Sequence, residues 1–211
     1  QYRDYDKDSF AGTFYWAVSP RTDILAEARY IETEYDKVNP LDPFGSLDAE
    51  EWNYYLGAQW DATAKTSGSI RLGMYDREYD SGARKDDDGF SWEVDLTYKP
   101  RSYSTWNLES KRYTQETNGR GDAVDTDRTT LTWDHDWASR SNTNVKVYFG
   151  TEDYTGADRE DDRIGVDASY NYAWRRWIDI GIGYRYEDRD STFELRDYSR
   201  NEYYLRADFS L

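Results

Sequence analysis

Tyr203-Tyr204-Leu205-Arg206-Ala207-Asp208-Phe209-Ser210-Leu211 closes the chain, with apolar and polar residues alternating to the last position. Successive side chains of an extended strand point to opposite faces. Tyr203, Leu205, Ala207, Phe209 and Leu211 therefore share one face, and Tyr204, Arg206, Asp208 and Ser210 the other. In water, an edge strand with one apolar face invites pairing with other chains. A transmembrane barrel removes that hazard by pairing its last strand with its first and turning the apolar face to lipid. The stretch predicts an all-β fold, an antiparallel transmembrane β-barrel.

The same alternation recurs upstream. Phe90, Trp92, Val94, Leu96 and Tyr98 oppose Ser91, Glu93, Asp95 and Thr97, and Ile178, Ile180, Ile182, Tyr184 and Tyr186 oppose Asp179, Gly181, Gly183 and Arg185. Trp52, Tyr54, Leu56, Ala58 and Trp60 form a third such row, and Ile164, Val166, Ala168, Tyr170 and Tyr172 a fourth. Strands are predicted near 9–18, 23–34, 51–62, 67–77, 89–99, 103–114, 127–138, 142–152, 162–173, 176–187 and 201–211. Their length, roughly ten residues, is that of tilted strands crossing a bilayer.

Composition agrees with this reading. Mean hydropathy is -1.09, net charge is -16 and 33% of residues are charged. Such a chain lacks the run of about 18 apolar residues that a membrane helix needs. Disorder is opposed by 18% aromatic residues, including 21 Tyr and 9 Trp. A barrel wall reconciles the two, because only alternate residues meet lipid. With 43 acidic against 27 basic residues, nucleic acid is not an expected partner, since phosphate binding needs clustered Lys and Arg. The absence of cysteine fits an exported protein without a disulfide framework.

Connections come in two kinds that take turns. Ser19-Pro20-Arg21-Thr22, Thr63-Ala64-Lys65-Thr66, Lys99-Pro100-Arg101-Ser102, Ala138-Ser139-Arg140-Ser141 and Ala173-Trp174-Arg175-Arg176 are short; 35–50, 78–88, 115–126, 152–162 and 188–200 are longer and acidic. Outer-membrane barrels have this asymmetry, with the short turns periplasmic. Trp16, Trp60, Tyr98, Trp106, Trp137, Trp174 and Trp177 all sit near the short turns. They are read as a girdle at the membrane interface, where amphipathic rings prefer the headgroup level. Tyr30, Trp52, Phe90 and Tyr186 are candidates for the opposite girdle.

The chain reads as a single domain, 1–211, with about 11–12 strands visible, whereas single-chain bacterial barrels have even strand numbers. Gln1-Tyr2-Arg3-Asp4-Tyr5-Asp6 resembles the strand tops Tyr75-Asp76-Arg77-Glu78-Tyr79-Asp80 and Tyr186-Glu187-Asp188-Arg189-Asp190. The favoured expectation is the C-terminal part of a larger barrel of about 16–18 strands, with Tyr203–Leu211 closing against a strand outside this sequence.

The polar faces are the candidate pore lining: Glu27, Arg29, Asp61, Arg71, Glu93, Asp95, Glu109, Lys111, Asp134, Asp136, Lys146, Asp167, Asp179, Arg185, Arg206 and Asp208. Charges at membrane depth must pair or meet water, so the expectation is a hydrated lumen. The alternative is a lumen closed by internal salt bridges. The only histidine, His135, shares a face with Leu131, Trp133 and Trp137 close to a periplasmic turn, and reads as an interfacial side chain. No catalytic residues, metal site or cofactor are expected. The acidic tips Asp86-Asp87-Asp88 and Asp158-Arg159-Glu160-Asp161-Asp162 lack the spacing of a calcium loop and read as solvated loop tips, with weak divalent bridging to lipopolysaccharide phosphates as the alternative.

The ending resembles the C-terminal signal of bacterial outer-membrane proteins, with Leu211 in place of the usual Phe or Trp. Tyr184-Arg185-Tyr186-Glu187-Asp188-Arg189-Asp190-Ser191-Thr192, followed by Asp197-Tyr198-Ser199-Arg200-Asn201, is similar to a segment of the β-barrel porin family found in exopolysaccharide operons. That resemblance implies an outer-membrane porin-like channel, a conduit for secreted polysaccharide or small solutes. The implied partners are outer-membrane lipid, lipopolysaccharide and periplasmic export proteins. A scaffolding barrel sheathing an electron-transfer partner is the alternative, and an outer-membrane hydrolase comes third.

Overall fold

The structure, a computed structural model, describes residues 4–63, 65–117 and 121–210. Gln1, Tyr2 and Arg3 of the N-terminal motif, Ala64 of the second short turn and Leu211 of the closing row lie outside the described residues. One 11-stranded sheet runs in chain order. Its strands are β1 (Tyr5–Ser19), β2 (Thr22–Tyr35), β3 (Ala49–Thr63), β4 (Thr66–Tyr79), β5 (Asp87–Arg101), β6 (Ser104–Glu116), β7 (Ala123–Ala138), β8 (Ser141–Thr155), β9 (Glu160–Arg175), β10 (Ile178–Ser191) and β11 (Tyr198–Phe209). Every neighbouring pair is antiparallel. Among the described residues β1 and β11 are not paired with each other, so the barrel-like sheet is open. A single 3-10 turn, Glu194–Arg196, interrupts the last outer connection.

The strands are 12 to 16 residues long, longer than the roughly ten that hydrophobic alternation marks out. Above the bilayer both faces meet water, so alternation fades while the backbone ladder continues. Two short turns also lie further along than predicted. β5 runs through Pro100, and its turn is Arg101–Ser104; the β9 turn is Arg175–Ile178. Pro100 sits where the β5–β6 register shifts, so its missing N–H costs the ladder nothing.

Burial is inverted relative to a soluble protein. Phe14, Leu56 and Leu205 are 71%, 69% and 84% exposed, whereas Arg77 and Asp161 are 1% and 0% exposed. Water would penalise the first set, and hydrocarbon accommodates it. Register places Trp16, Trp60, Tyr98 and Trp106 on this outer face beside the short turns, and Trp137, Trp174 and Trp177 lie exposed at register shifts or turns there. Trp106 stacks on Trp133 at 5.5 Å and Trp177 lies 6.4 Å from Phe209. Tyr30 and Trp52 meet at 5.0 Å toward the other end of the wall.

Among the described residues, four cross-strand pairs on the inner face place a tyrosine ring over a glycine, most closely at Tyr148 and Tyr204. A Cβ on Gly165 would lie 2.3 Å from the Tyr148 ring, and one on Gly183 would lie 2.2 Å from that of Tyr204. The missing side chains let both tyrosines lie flat along the wall, covering backbone that glycine leaves open.

Candidate functional site

The inner face is defined by contacts that only a curled sheet permits. Adjacent strands are about 4.8 Å apart, so in a flat sheet β1 and β6 would be separated by about 24 Å. Lys7 Nζ of β1 nevertheless lies 3.5 Å from Glu116 of β6, and Tyr35 of β2 donates its hydroxyl to Glu116 at 2.9 Å. Side chains on the concave side converge across the lumen, while those on the convex side splay toward lipid.

By strand register Glu27, Arg29, Arg71, Glu93, Asp95, Glu109, Lys111, Asp134, Asp136, Lys146, Asp167, Asp179, Arg185, Arg206 and Asp208 of the expected lining fall on this concave face, and Asp61 lies in the β3 register shift between Trp60 and Thr63. Their surroundings differ with height. At the short-turn end Asp61, Asp95, Asp134, Asp136, Asp179 and Asp208 are exposed. All but Asp134 border two clefts, of about 410 Å³ between β2 and β5 and about 700 Å³ between β7 and β11. Local partners are few: Asn144 donates to Asp134 at 2.6 Å, and Lys111 pairs with Glu109 at 2.7 Å. Arg185 holds Asp167 at 2.8 Å, and Arg206 holds Asp208 at 2.5 Å.

At mid-height two arginines and two glutamates form a neutral square. Arg29 reaches Glu93 at 2.8 Å and Glu27 at 2.6 Å. Arg71 closes it at 3.4 Å to Glu27 and 3.5 Å to Glu93. Gly57 of β3 faces Arg71 across the ladder, where a Cβ would meet the Ile70 carbonyl. Four charges that would each be costly alone satisfy one another here.

Above the square the wall changes course. The β5–β6 ladder runs from Tyr98↔Trp106 up to Glu93↔Lys111 and stops, although β5 continues to Asp87 and β6 to Glu116. The outer half of the β6–β7 hairpin leaves the wall and folds inward. Inward-facing Ser91 donates to the backbone carbonyl of Arg112 at 3.3 Å, which places β6 on the luminal side of β5. Tyr75 of β4 lies 3.0 Å from both Asp125 of β7 and Asp87. At the tip, Glu116 receives one Arg77 nitrogen at 2.9 and 3.0 Å on its two oxygens, and both side chains are 1% exposed. Arg77 also faces Glu51 at 3.5 Å.

A second layer closes the mouth. Arg84, on the β4–β5 loop, pairs with Asp42 at 2.7 Å and with Asp122, and donates to the carbonyls of Ser46 at 2.6 Å and Gly45 at 3.0 Å. It thereby ties three outer loops together. A third cluster lies over β9 and β10, where the carboxylate of Asp161 takes Arg159 at 2.5 and 3.0 Å and Arg189 at 2.8 Å. Burial works to raise the Asp161 pKa, but hydrogen bonds from Arg159, Ser191 and Arg189 outweigh it and hold the group at about 2.

The closing residues Glu51, Arg77, Arg84, Glu116 and Asp122 are not among those singled out from alternation. A signal for them exists in the sequence. On β6 the lipid-side row reads Trp106, Leu108, Ser110, Arg112, Thr114, Glu116, and on β7 it reads Trp133, Leu131, Thr129, Asp127, Asp125. Both rows turn polar halfway up. A face that would carry Arg112 and Asp127 into hydrocarbon belongs to a hairpin that leaves the lipid. Arg112 instead holds Asp127 at 2.7 Å and lies 5.1 Å over the Trp92 ring.

His135 packs against Trp137 at 4.3 Å, Trp133 at 5.2 Å and Tyr103 at 5.4 Å. Ser104 pairs directly across the ladder from His135. The Ser104 hydroxyl accepts from Trp133 at 3.0 Å, and His135 Nδ1 makes no hydrogen bond. The pair therefore reads as part of the interfacial ring cluster. Asp86 caps the Tyr79 amide at 3.0 Å, so one acidic tip serves its own loop.

The fold is that of outer-membrane barrels. The chain is similar to the FrpB iron transporter from Neisseria meningitidis (F3-3 variant), with a TM-score of 0.57, 9% identity, and coverage of 94% of this chain and 39% of that one. The ferric yersiniabactin uptake receptor FyuA from Yersinia pestis gives a TM-score of 0.53, 12% identity, and coverage of 89% and 36%. The copper transporter OprC gives 0.52, 10% identity, and coverage of 92% and 38%. The chain thus spans less than two fifths of the length of each of these barrels, and at such identity the likeness concerns fold alone. A search of curated proteins finds no match. A family profile matches residues 1–210, and with the inverted burial, the girdle and the polar concave face it places the protein in the outer membrane of Gram-negative bacteria. The chain belongs to the family described as putative beta-barrel porin 2.

Proposed function

We propose that this porin-like wall serves a passive conduit for secreted polysaccharide, with the residues of the concave face lining the passage. The observation that carries the reading is the exposed polar surface at the periplasmic end, where Asp61, Asp95, Asp136 and Asp179 stand with amides such as Asn142 and Asn171 around open clefts. Carboxylates and amides hydrogen-bond to sugar hydroxyls along a path without committing to one register. Tyr148 and Tyr204, lying flat over their glycines, add ring surface for sugar faces.

The outer half of the lumen is the gate in this reading. The inward-folded β6–β7 hairpin and the loops knotted at Arg84 close it, and passage requires the hairpin to swing back toward the wall. Transport involves no bond chemistry by the chain, and His135 has no catalytic part. Periplasmic export partners feed the acidic lower mouth, and lipopolysaccharide surrounds the outer rim. The direct test is ion conductance of the purified protein in a planar bilayer, together with its block by polysaccharide added from the periplasmic side. A protein that inserts and never conducts, even after the hairpin is released, would sink the conduit.

A further inference from the structure

Four of the five outer connections meet around a cavity of about 1060 Å³ that borders the closure, sharing Asp42 and Asp122 with it. Four arginines of the described residues, Arg196 of the 3-10 turn among them, face three aspartates there, and Phe44, Tyr154 and Phe193 supply the rings. Arg163 is anchored to Glu152 at 2.9 Å, whereas Arg196 has no ion-pair partner among the described residues. In a chain with 43 acidic and 27 basic residues, a cavity lined by more arginines than carboxylates, beside aromatic rings, is a departure that asks for an anionic ligand.

We infer that this cavity binds an acidic sugar unit, such as a uronate of a polysaccharide. A guanidinium presents paired N–H donors that match a carboxylate. The apolar faces of a sugar ring rest on aromatic rings, and its hydroxyls donate to carboxylates. All three chemistries converge in one cavity of the volume that small ligands occupy. A neutral sugar would leave Arg196 without its partner, and a simple anion would leave Phe44 and Phe193 unused. The biological meaning rests on the conduit reading, in which this cavity receives the emerging chain at the outer mouth.

The test is calorimetric titration of the purified protein in detergent with tetragalacturonate and with maltotetraose, which have the same length and differ in their carboxylates. The acidic oligomer is expected to bind at least tenfold tighter than the neutral one. Arg196→Glu is expected to lower its affinity at least tenfold, and Arg196→Lys to recover part of it. Phe193→Ala should weaken binding of the same oligomer. Inorganic phosphate should fail to compete at equal concentration. Equal affinity for both oligomers, binding of neither, or indifference to Arg196→Glu overturns the site. Bilayer conductance is read separately: a protein that binds but does not conduct loses the conduit and keeps the site, and one that conducts but binds neither oligomer loses the site alone.

Discussion

The pair that pins the β6–β7 hairpin is the place to perturb the closure. Arg77 and Glu116 are both 1% exposed and meet at 2.9 and 3.0 Å. Removing one partner of a buried ion pair costs about 3–5 kcal/mol, because the other charge is left uncompensated. Here Glu116 keeps Lys7 at 3.5 Å and the Tyr35 hydroxyl at 2.9 Å, so the cost falls at the low end, about 3 kcal/mol. At about 1.4 kcal/mol per factor of ten, Arg77→Met should shift the docked-to-released equilibrium of the hairpin by roughly a hundredfold. In single-channel recordings this appears as longer or more frequent open events, and amide exchange in residues 112–116 and 123–127 should quicken by a similar factor. Glu116→Leu alone should act in the same direction. The double variant should be less perturbed than the two effects summed, since two apolar side chains can replace a buried pair at little loss. Unchanged gating together with unchanged exchange in both single variants would refute the idea that this pair holds the closure.

Three further outcomes follow from the same geometry. Glu93 is committed to Arg29 and Arg71, whereas Asp95, Asp134 and Asp136 are exposed; replacing these three by Arg should move the bilayer reversal potential from cation toward anion preference, and an unmoved potential removes them from the passage. Asp161 has its pKa depressed to about 2 in the folded chain against about 3.9 unfolded. Its stabilisation, about 2 kcal/mol, is therefore fully present above pH 4 and lost as pH falls from about 4 to 2, so denaturant unfolding of Asp161→Asn should lack that part of the acid dependence, and identical pH slopes would contradict the pairing. Gly183→Val would drive a side chain into the Tyr204 ring, which lies 2.2 Å from a Cβ placed there; the variant should lose about 1–3 kcal/mol in detergent unfolding, and Gly183→Val combined with Tyr204→Ser should recover most of it.

Strand pattern, face and interface were legible from residues alone. The period of two is a property of the extended backbone, so each row of alternating residues states which side of the wall a residue occupies, whatever its neighbours. Asp134 and Leu131 need no tertiary information to be sorted, and neither do the tryptophans beside the short turns. The exact turn positions at 101–104 and 175–178 were not legible, because near the interface polar and aromatic residues occur on both faces and one-residue shifts are not penalised.

The closure was decided only in three dimensions. Arg77 and Glu116 are 39 residues apart in the chain, and Arg29 and Glu93 are 64 apart; alternation puts the second pair on one side of the wall and the first on opposite sides, and in neither case says that the partners meet. The polar upper rows of β6 and β7 show in the sequence that a hairpin avoids lipid. Where it goes instead depends on which luminal charges can receive it, and that is fixed by the curl of the sheet. The sequence by itself determined a barrel wall with a polar inner face. The tertiary structure determined that the outer half of that face is occupied by the chain's own hairpin, because a buried charge is tolerated only where its partner arrives with it.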